Sequence, residues 1–313
     1  MKQINNVAIL IPLYNEAKTI EKVINDFYKV MPENSKIYVY DNNSTDNSYD
    51  LVNDTNKVIL KREFKQGKGY VVRRMFREID ADIYVLVDAD DTYYATDLAK
   101  LIEPIINHNA DMVVGDRLSN SYFTENKRRF HNFGNVLMKK LINTFFKSNV
   151  ADIMSGYRAF SKKFVKTFPC LSKGFEIETE MTIHAIDKDL DIVNVVINYQ
   201  DRPKDSPSKL NTISDGIKVI FTFLKFFALY RPFVFFNIIA LLLFIIASIL
   251  FFPVLIEYRH SHFVPRFPTL IVSIFFYASA FQCFFTGIIL ELINKSSRQE
   301  FEYKLIKNND IVN

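Results

Sequence analysis

The chain has 313 residues, which is more than one small domain needs and leaves room for an appended segment. Its net charge of +4 is too small to imply nucleic acid, and no basic arm or zinc-ligand spacing is present, so that class of function is excluded. Residues 1–210 mix charged and apolar side chains as a soluble domain does, whereas residues 233–293 are almost free of charge. The sequence therefore has two regions of different physical character.

Five short apolar runs in the first region predict buried strands, and helical patterns lie between them. The runs are Val7–Ile11, Ile37–Tyr40, Val58–Leu60, Ile83–Val87 and Met112–Val114. Strands that alternate with helices indicate a parallel α/β sheet, whose ligand crevice lies at the carboxyl ends of the strands.

Polar and acidic segments follow the first, second and fourth of these strands, where the crevice is expected: PLYNE, DNNSTD and DADD. A dinucleotide site would need a glycine-rich G-x-G-x-x-G after the first strand, and none is present.

Asp88 and Asp90 lie two residues apart after an extended segment, so their carboxylates can share one face. Such oxygen ligands suit Mg²⁺ or Mn²⁺ bound together with substrate phosphates, although a solvated acidic turn is the alternative. The metal would neutralise charge on a departing nucleoside diphosphate.

Two uncharged runs near the C-terminus, Phe233–Ile256 and Phe267–Leu290, are each long enough to cross a bilayer as a helix. A buried helix pair in a soluble core would normally carry a polar stripe, and neither run has one. Lys and Arg concentrate before the first run and after the second, which predicts cytoplasmic termini.

The segment Thr212–Tyr230 has a narrow polar stripe and predicts a helix in the membrane interface; the alternative is that it packs on the soluble domain.

The predicted organisation has six parts. In chain order they are a cytoplasmic catalytic domain (1–211), a juxtamembrane interfacial helix (212–232), a first membrane span (233–256), an extracytoplasmic loop (257–266), a second span (267–293) and a cytoplasmic tail (294–313).

A set of motifs makes a family resemblance specific. In order along the chain they are VAILIPLYNEAKTI, VYDNNSTD, GKGYVVRR, LVDADDTY, VGDRL, ADIMSGYRAF, GFEIETEM and the SKL of residues 208–210. Together they resemble the family 2 polyprenyl-phosphate glycosyltransferases, which include dolichyl-phosphate mannose synthases and bacterial undecaprenyl-phosphate sugar transferases. The match runs from about Val7 to Leu210, and the paired C-terminal spans fit the bacterial branch.

The resemblance implies a Rossmann-like nucleotide-diphospho-sugar transferase domain of the GT-A type, followed by interfacial helices and a two-helix transmembrane hairpin. It implies metal-dependent, inverting transfer of a hexose or N-acetylhexosamine from a nucleoside diphosphate, UDP in the bacterial branch, to undecaprenyl phosphate. Such a product would supply sugar for cell-envelope glycosylation. The implied partners are the nucleotide sugar, the polyprenyl phosphate and the lipid bilayer of the inner or plasma membrane, without nucleic acid; a homo-oligomer is left open.

The resemblance also implies roles for individual residues. The donor nucleotide sugar would be bound by Pro12, Tyr14, Asn15, Glu16, Asp41, Lys68, Asp88, Arg202 and Lys209. The metal would be held by Asp88, Asp90 and Thr92, with Thr92 standing where many relatives have Gln or His. The acceptor phosphate would be bound by Arg117, Arg128 and Asn132. Catalysis is assigned to Asp90 and to Asp152, which either orients the nucleophile or serves as base. The run with Glu176, Glu178 and Glu180 receives no assigned contact.

Two alternative functions share this fold. A processive polysaccharide synthase would carry a Q-x-x-R-W acceptor motif, but the chain contains no Trp. A non-catalytic membrane scaffold with a degenerate transferase domain would lose the metal carboxylates, whereas Asp88 and Asp90 are both present.

Overall fold

The computed structural model describes residues 6–108, 110–119, 129–202 and 212–307. Within these residues one sheet has the strand order β3-β2-β1-β4-β6-β5-β7. Its strands are β1 (Val7–Leu13), β2 (Lys36–Asp41), β3 (Val58–Arg62), β4 (Ile83–Leu86), β5 (Met112–Asp116), β6 (Arg158–Ser161) and β7 (Ile192–Val196). All five strands predicted from apolar runs are therefore confirmed.

Strand β6 departs from the predicted parallel sheet. The pairs β1–β2, β1–β4, β2–β3 and β5–β7 are parallel, but β6 is antiparallel to both β4 and β5. Arg158, the first residue of β6, pairs with Leu86 at the end of β4 and with Val114 in β5. The reversal places the loop before β6, with Asp152, at the carboxyl ends of these strands. The expectation of a wholly parallel sheet is wrong at this strand, because a four-residue strand without an apolar run leaves no pattern to detect.

Helices pack on the sheet and cover its core. They are α1 (Ile20–Val30), α2 (Lys68–Glu78), α3 (Leu98–His108), α4 (Arg129–Phe146), α5 (Lys162–Thr167) and α6 (Ile177–Asp187). Helix α1 buries Ile20, Val23 and Phe27, as its 3.6-residue periodicity predicts. The ring of Phe27 meets the edge of Tyr157 at a centroid distance of 5.9 Å, which ties α1 to the loop before β6.

Three helices follow the sheet domain: α7 (Thr212–Tyr230), α8 (Pro232–Ser261) and α9 (Phe267–Lys307). The chain divides into two compact units, Met1–Phe223 with Lys304–Asn313, and Leu224–Tyr303. Helices α8 and α9 are long and apolar enough to cross a membrane, so two candidate spans are present as predicted. Helix α9 is 41 residues long and continues through residues predicted as the tail.

The two long helices pack through small residues. On α8 the buried positions Ala240, Ala247 and Val254 are seven residues apart, and on α9 the buried positions Ser273, Ala280 and Gly287 repeat at the same interval. A Cβ at Gly287 would lie 3.2 Å from Cβ of Phe236, so the glycine permits close approach of the helices. Small residues are typical of helix contacts in membranes because lipid gives little hydrophobic drive for association. Many of the large apolar side chains, such as Leu241 and Phe275, are exposed.

Helix α7 has two kinds of apolar side chain. Phe223 is buried, and its ring lies 5.6 Å from that of Phe145 on α4. Phe221 is 68% exposed and Leu224 is 40% exposed. Phe223 thus packs against α4, whereas Phe221 and Leu224 leave apolar surface, and the position of α7 in the membrane interface stays a prediction.

Candidate active site

The loop after β1 is joined to the loop after β2 by hydrogen bonds. Asn15 adopts the left-handed backbone conformation (φ 50°), which Asn tolerates better than most residues. Its backbone N–H donates to Oγ of Ser44 at 3.0 Å, and its side-chain Oδ1 accepts from the N–H of Thr45 at 2.8 Å. Pro12 lies inside β1, and Tyr14 and Glu16 follow it in the same loop. These four residues assigned to the donor therefore lie at the carboxyl end of β1.

Asp41 is buried at the end of β2. Its carboxylate accepts from the backbone N–H of Ser44 at 3.2 Å and from Nε of Arg62 at 3.2 Å. The guanidinium of Arg62 also lies 3.9 Å from the ring centroid of Tyr49. In this structure Asp41 holds the turn that follows it, and the expected hydrogen bond to a nucleotide base stays a prediction.

Lys68 begins α2 and points into the crevice. Gly67 before it has φ 136°, and a Cβ there would overlap the carbonyl oxygen of Lys173, so only glycine fits this turn. Nζ of Lys68 lies 2.5 Å from Oδ1 of Asp88 and 2.5 Å from Oε1 of Glu178. Burial opposes the charge of Lys68, but the two carboxylates outweigh it and raise its pKa. Burial likewise disfavours the charged form of Asp88, but Lys68 outweighs it and lowers the pKa of Asp88.

Asp90 sits beside Asp88 within a second ionic network. Its Oδ2 lies 2.6 Å from Nη2 of Arg202, whose Nη1 lies 3.1 Å from Oε1 of Glu16. Burial, and then the charge of Asp88, raise the pKa of Asp90. Thr92 donates its hydroxyl to Oδ1 of Asp90 at 2.7 Å. Thr92 therefore orients Asp90 here, and its expected metal contact stays a prediction.

The chemistry of these carboxylates fits a divalent cation. Within the described part of the chain, no three Asp, Glu, His or Cys side chains form a ready-made metal cage. Mg²⁺ and Mn²⁺ are commonly bound by one or two carboxylates plus substrate phosphates, which is the donor set that Asp88 and Asp90 offer. Burial and then the neighbouring charge of Asp88 raise the pKa of Asp90, and a cation between the two carboxylates would offset both effects.

A second buried ion pair lies across the crevice. Nε and Nη2 of Arg117, which follows β5, lie 2.7 and 3.0 Å from the two carboxylate oxygens of Asp152. The guanidinium carbon is 6.0 Å from the ring centroid of Tyr93 and 5.6 Å from that of Tyr199. Arg117 is therefore fixed by a two-pronged carboxylate contact and by aromatic neighbours. The sequence motifs contain Tyr93 but gave no signal that it would lie beside Arg117.

The loop that carries Asp152 is held by a buried arginine. Arg158 donates to the carbonyl oxygens of Ser155 at 2.9 Å and Ile153 at 2.6 Å and to Oγ1 of Thr182 at 2.8 Å. Burial lowers the pKa of Arg158 to about 10. These bonds explain the arginine in the ADIMSGYRAF segment, since a Lys could not reach three acceptors in this fork arrangement.

The structure thus brings together Pro12, Tyr14, Asn15, Glu16, Asp41, Lys68, Asp88, Asp90, Thr92, Arg117, Asp152 and Arg202 at one end of the sheet domain. Arg128 and Lys209 lie outside the described residues, as does the side chain of Asn132. Glu178, to which the sequence assigned no contact, is in direct contact with Lys68.

The sequence pattern described as Glycosyl transferase family 2 matches residues 8–168. That stretch runs from β1 to the end of α5, and it includes Asp88, Asp90 and the loop with Asp152. The chain belongs to glycosyltransferase family 2.

Two relatives extend the match beyond that stretch. Glycosyltransferase AglJ of Haloferax volcanii is 33% identical over 211 residues, which are 67% of this chain and 68% of the relative. The UDP-N-acetylglucosamine–dolichyl-phosphate N-acetylglucosaminyltransferase of Methanococcus voltae is 32% identical over 216 residues, covering 61% of this chain and 84% of the relative. The predicted resemblance to polyprenyl-phosphate glycosyltransferases is confirmed.

A solved structure shares the fold. Glucosyl-3-phosphoglycerate synthase of Mycobacterium tuberculosis, in complex with Mn²⁺, UDP and phosphoglyceric acid, matches with a TM-score of 0.56 at 20% identity. The match covers 71% of this chain and 78% of that chain. At this identity the likeness establishes the fold, and the predicted GT-A type of α/β domain is confirmed.

Proposed function

We propose that this family 2 glycosyltransferase moves a hexose or N-acetylhexosamine from UDP to the phosphate of a polyprenyl phosphate, undecaprenyl phosphate in bacteria. The observation that carries the proposal is the crevice itself, where Asp88 and Asp90 lie at the end of β4 and Arg117 and Asp152 lie at the neighbouring strand ends. The name of the Methanococcus voltae relative specifies a UDP-sugar donor and a dolichyl-phosphate acceptor, which supports this substrate pair.

The donor side of the crevice suits a nucleoside diphosphate. Lys68 and Arg202 bring positive charge to Asp88 and Asp90 and can turn to phosphate oxygens when a donor enters. A bound Mg²⁺ or Mn²⁺ would neutralise charge on the departing diphosphate. Asp88 and Asp90 would hold that ion, and Thr92 would keep Asp90 oriented toward it. The Mn²⁺ and UDP present together in the Mycobacterium tuberculosis complex support metal use in this fold.

The acceptor side needs no strong base. A phosphate monoester is already ionised near neutral pH, so its oxygen can attack the anomeric carbon directly. One bond forms from that oxygen to the carbon while the bond to the diphosphate oxygen breaks and its electron pair leaves with UDP, which inverts the configuration. Catalysis then rests on alignment and on charge stabilisation. The contact between Asp152 and Arg117 supports an orienting role for Asp152.

Arg117, Arg128 and Asn132 are proposed to bind the acceptor phosphate. A guanidinium presents paired N–H donors that match phosphate oxygens, and Arg117 already uses such a pair toward Asp152. An arriving phosphate would share the guanidinium with Asp152 or displace it.

The membrane region would keep the lipid acceptor within reach. We assign α8 and α9 as a transmembrane hairpin with the catalytic domain and tail in the cytoplasm, because Lys and Arg flank the outer ends of the pair. The exposed apolar residues of α7, such as Phe221, are proposed to rest in the membrane interface. The lipid-linked sugar would then serve envelope glycosylation.

Lipid extraction tests the proposal. Membranes with the overproduced chain are incubated with radiolabelled UDP- and GDP-sugars and undecaprenyl phosphate, and the organic phase is counted. Label from a UDP-sugar that depends on added lipid is the expected result. Chains of many sugars would favour the processive synthase, and donor binding without product would favour the scaffold.

A further inference from the structure

Glu178 is a buried acidic partner of Lys68. It lies in α6, and its carboxylate contacts Nζ of Lys68, which also contacts Asp88. The side chains of Lys68 and Glu178 are 8% and 6% exposed, whereas that of Asp88 is 30% exposed. The ammonium of Lys68 is therefore shared by the partly exposed carboxylate of Asp88 and the buried carboxylate of Glu178.

This arrangement follows from the cost of burying charge. A buried ammonium needs an ionic partner that stays with it, because an uncompensated buried charge is strongly destabilising. Asp88 cannot fill that role throughout a reaction in which it also faces a cation and a diphosphate. Glu178, which is buried away from the crevice, can remain paired with Lys68 whether the donor is present or absent.

Helix α6 is well anchored for this purpose. Oγ1 of Thr182 donates to the backbone oxygen of Glu178 at 3.0 Å and accepts from Arg158. The carboxylate of Glu180 accepts from the backbone N–H of Ser172 at 2.8 Å. The N–H of Gly69, next to Lys68, donates to the backbone oxygen of residue 173 at 3.1 Å. The turn with Lys68 and the helix with Glu178 are thus fixed to the same segment.

We propose that Glu178 is a positioning residue for the donor: it holds the ammonium of Lys68 toward the place of the diphosphate while Asp88 turns to the metal ion. The inference rests on the proposed donor site. Without the carboxylate of Glu178, Lys68 would be held by Asp88, and a metal–nucleotide complex would have to compete with that ion pair.

Binding of Mn²⁺ with UDP tests this role without any transfer reaction. Calorimetry on detergent-solubilised protein compares wild type with Glu178→Gln, Glu178→Asp and the control Glu176→Gln, whose carboxylate accepts from the N–H of Lys173. Glu178→Gln is expected to weaken Mn²⁺–UDP binding by about 10- to 100-fold, the range for a hydrogen bond to a charged group. Glu178→Asp should fall between it and wild type, and the control should bind as wild type does. KM for the donor sugar should rise while KM for the lipid acceptor stays unchanged.

A double variant tests whether Glu178 acts through Lys68. In Lys68→Met, adding Glu178→Gln should change Mn²⁺–UDP affinity by less than about twofold, because coupled residues are not additive. Additive effects, or unchanged affinity in Glu178→Gln, would overturn the positioning role. If Glu178→Gln does not fold, the Mn²⁺–UDP affinity of Glu178→Asp is the test, because aspartate retains the charge that compensates Lys68. Wild-type affinity in Glu178→Asp then overturns the positioning role. Absence of Mn²⁺–UDP binding in the wild type contradicts the donor site itself and the inference with it.

Discussion

Arg117 and Asp152 form a two-pronged ion pair in which Nε and Nη2 of the guanidinium lie 2.7 and 3.0 Å from the two carboxylate oxygens. Both side chains are buried, so neither charge is screened by water. The family resemblance implies that Arg117 binds the acceptor phosphate and that Asp152 takes part in catalysis, and in the structure these two side chains are directly paired. Substitution of either residue should therefore alter the orientation of the other side chain.

Replacing Arg117 by Lys keeps the charge but removes the paired donors. We expect kcat/KM for the lipid acceptor to fall by about 10- to 100-fold, since a charged hydrogen bond contributes about 1.5–3 kcal/mol. Steady-state assays at varied polyprenyl phosphate measure this, with Asp80→Asn, a mostly exposed ion-pair residue, as an unaffected control. Donor affinity should hardly change; lost nucleotide affinity with intact acceptor dependence would move Arg117 to the donor site.

Asp90→Asn should abolish metal-dependent transfer. The amide keeps the shape of the side chain but loses the charge that would bind the cation, so activity should fall at least about 100-fold, a loss of roughly 3 kcal/mol or more. Transfer is measured with EDTA and after Mn²⁺ or Mg²⁺ is restored. Full activity in EDTA would refute the metal assignment.

Thr92→Val tests whether the hydroxyl of Thr92 supports metal use at Asp90. The hydroxyl of Thr92 donates to Asp90 at 2.7 Å, so its loss should raise the Mn²⁺ concentration needed for half-maximal activity by about 5- to 10-fold, equivalent to one hydrogen bond of roughly 1 kcal/mol. Thr92→Ser, which keeps the hydroxyl, should behave as wild type. A wild-type Mn²⁺ requirement in Thr92→Val, or an equal defect in Thr92→Ser, would contradict a specific role for the hydroxyl.

His184 should make the folded domain sensitive to acid. It is buried beside Phe164 and Phe168, with ring centroids 5.7 and 5.2 Å away, and burial lowers its pKa from 6.5 to about 4. Between these two values the unfolded chain binds the proton and the folded chain does not, so stability present above pH 6.5 is lost as the pH falls toward 4. The free energy of unfolding should drop by about 2 kcal/mol from pH 7 to pH 5 through this group.

Thermal unfolding of the detergent-solubilised protein measures this acid sensitivity. His184→Leu should flatten the dependence of the melting temperature on pH between 4 and 6.5, while the exposed control His260→Gln should leave it unchanged. An identical slope in wild type and His184→Leu would show that other groups cause the loss.

The proposed hairpin predicts where tags are reachable. Helix α8 ends at Ser261, and His262 adopts a left-handed conformation with φ 57° in the turn that follows. An epitope inserted after His262 should be accessible from outside intact cells, whereas a reporter fused after Asn313 should be cytoplasmic. Detection of both on one side of the membrane would refute the hairpin.

The donor side of the site could be predicted from sequence because its signals are local. Asp88 and Asp90 directly follow an apolar strand, so strand geometry alone places both at the crevice. The same reasoning fails for β6, which is only four residues long and is antiparallel to its neighbours. Residues 8–168 nevertheless contain enough local patterning for the family to be recognised.

The contacts across the crevice could not be predicted, because they join distant segments. Lys68 and Glu178 are 110 positions apart, and Arg117 and Asp152 are 35 apart. The acidic run around Glu178 received no assigned contact, yet α6 is buried from Ile177 to Ala185. A helix buried on every side has neither the two-residue nor the 3.6-residue period, so its polar contacts become visible only in three dimensions.

The most direct test of the proposed sugar transfer is the identity of the nucleotide released by the purified protein. A UDP-sugar and undecaprenyl phosphate are incubated with the protein in detergent, and both nucleotide and lipid products are quantified by mass spectrometry. Attack of the lipid phosphate on the anomeric carbon predicts one UDP released per lipid-linked sugar, with a single phosphate between sugar and lipid. Release of UMP with a diphosphate-linked product, or UDP release without any lipid-linked sugar, would contradict it.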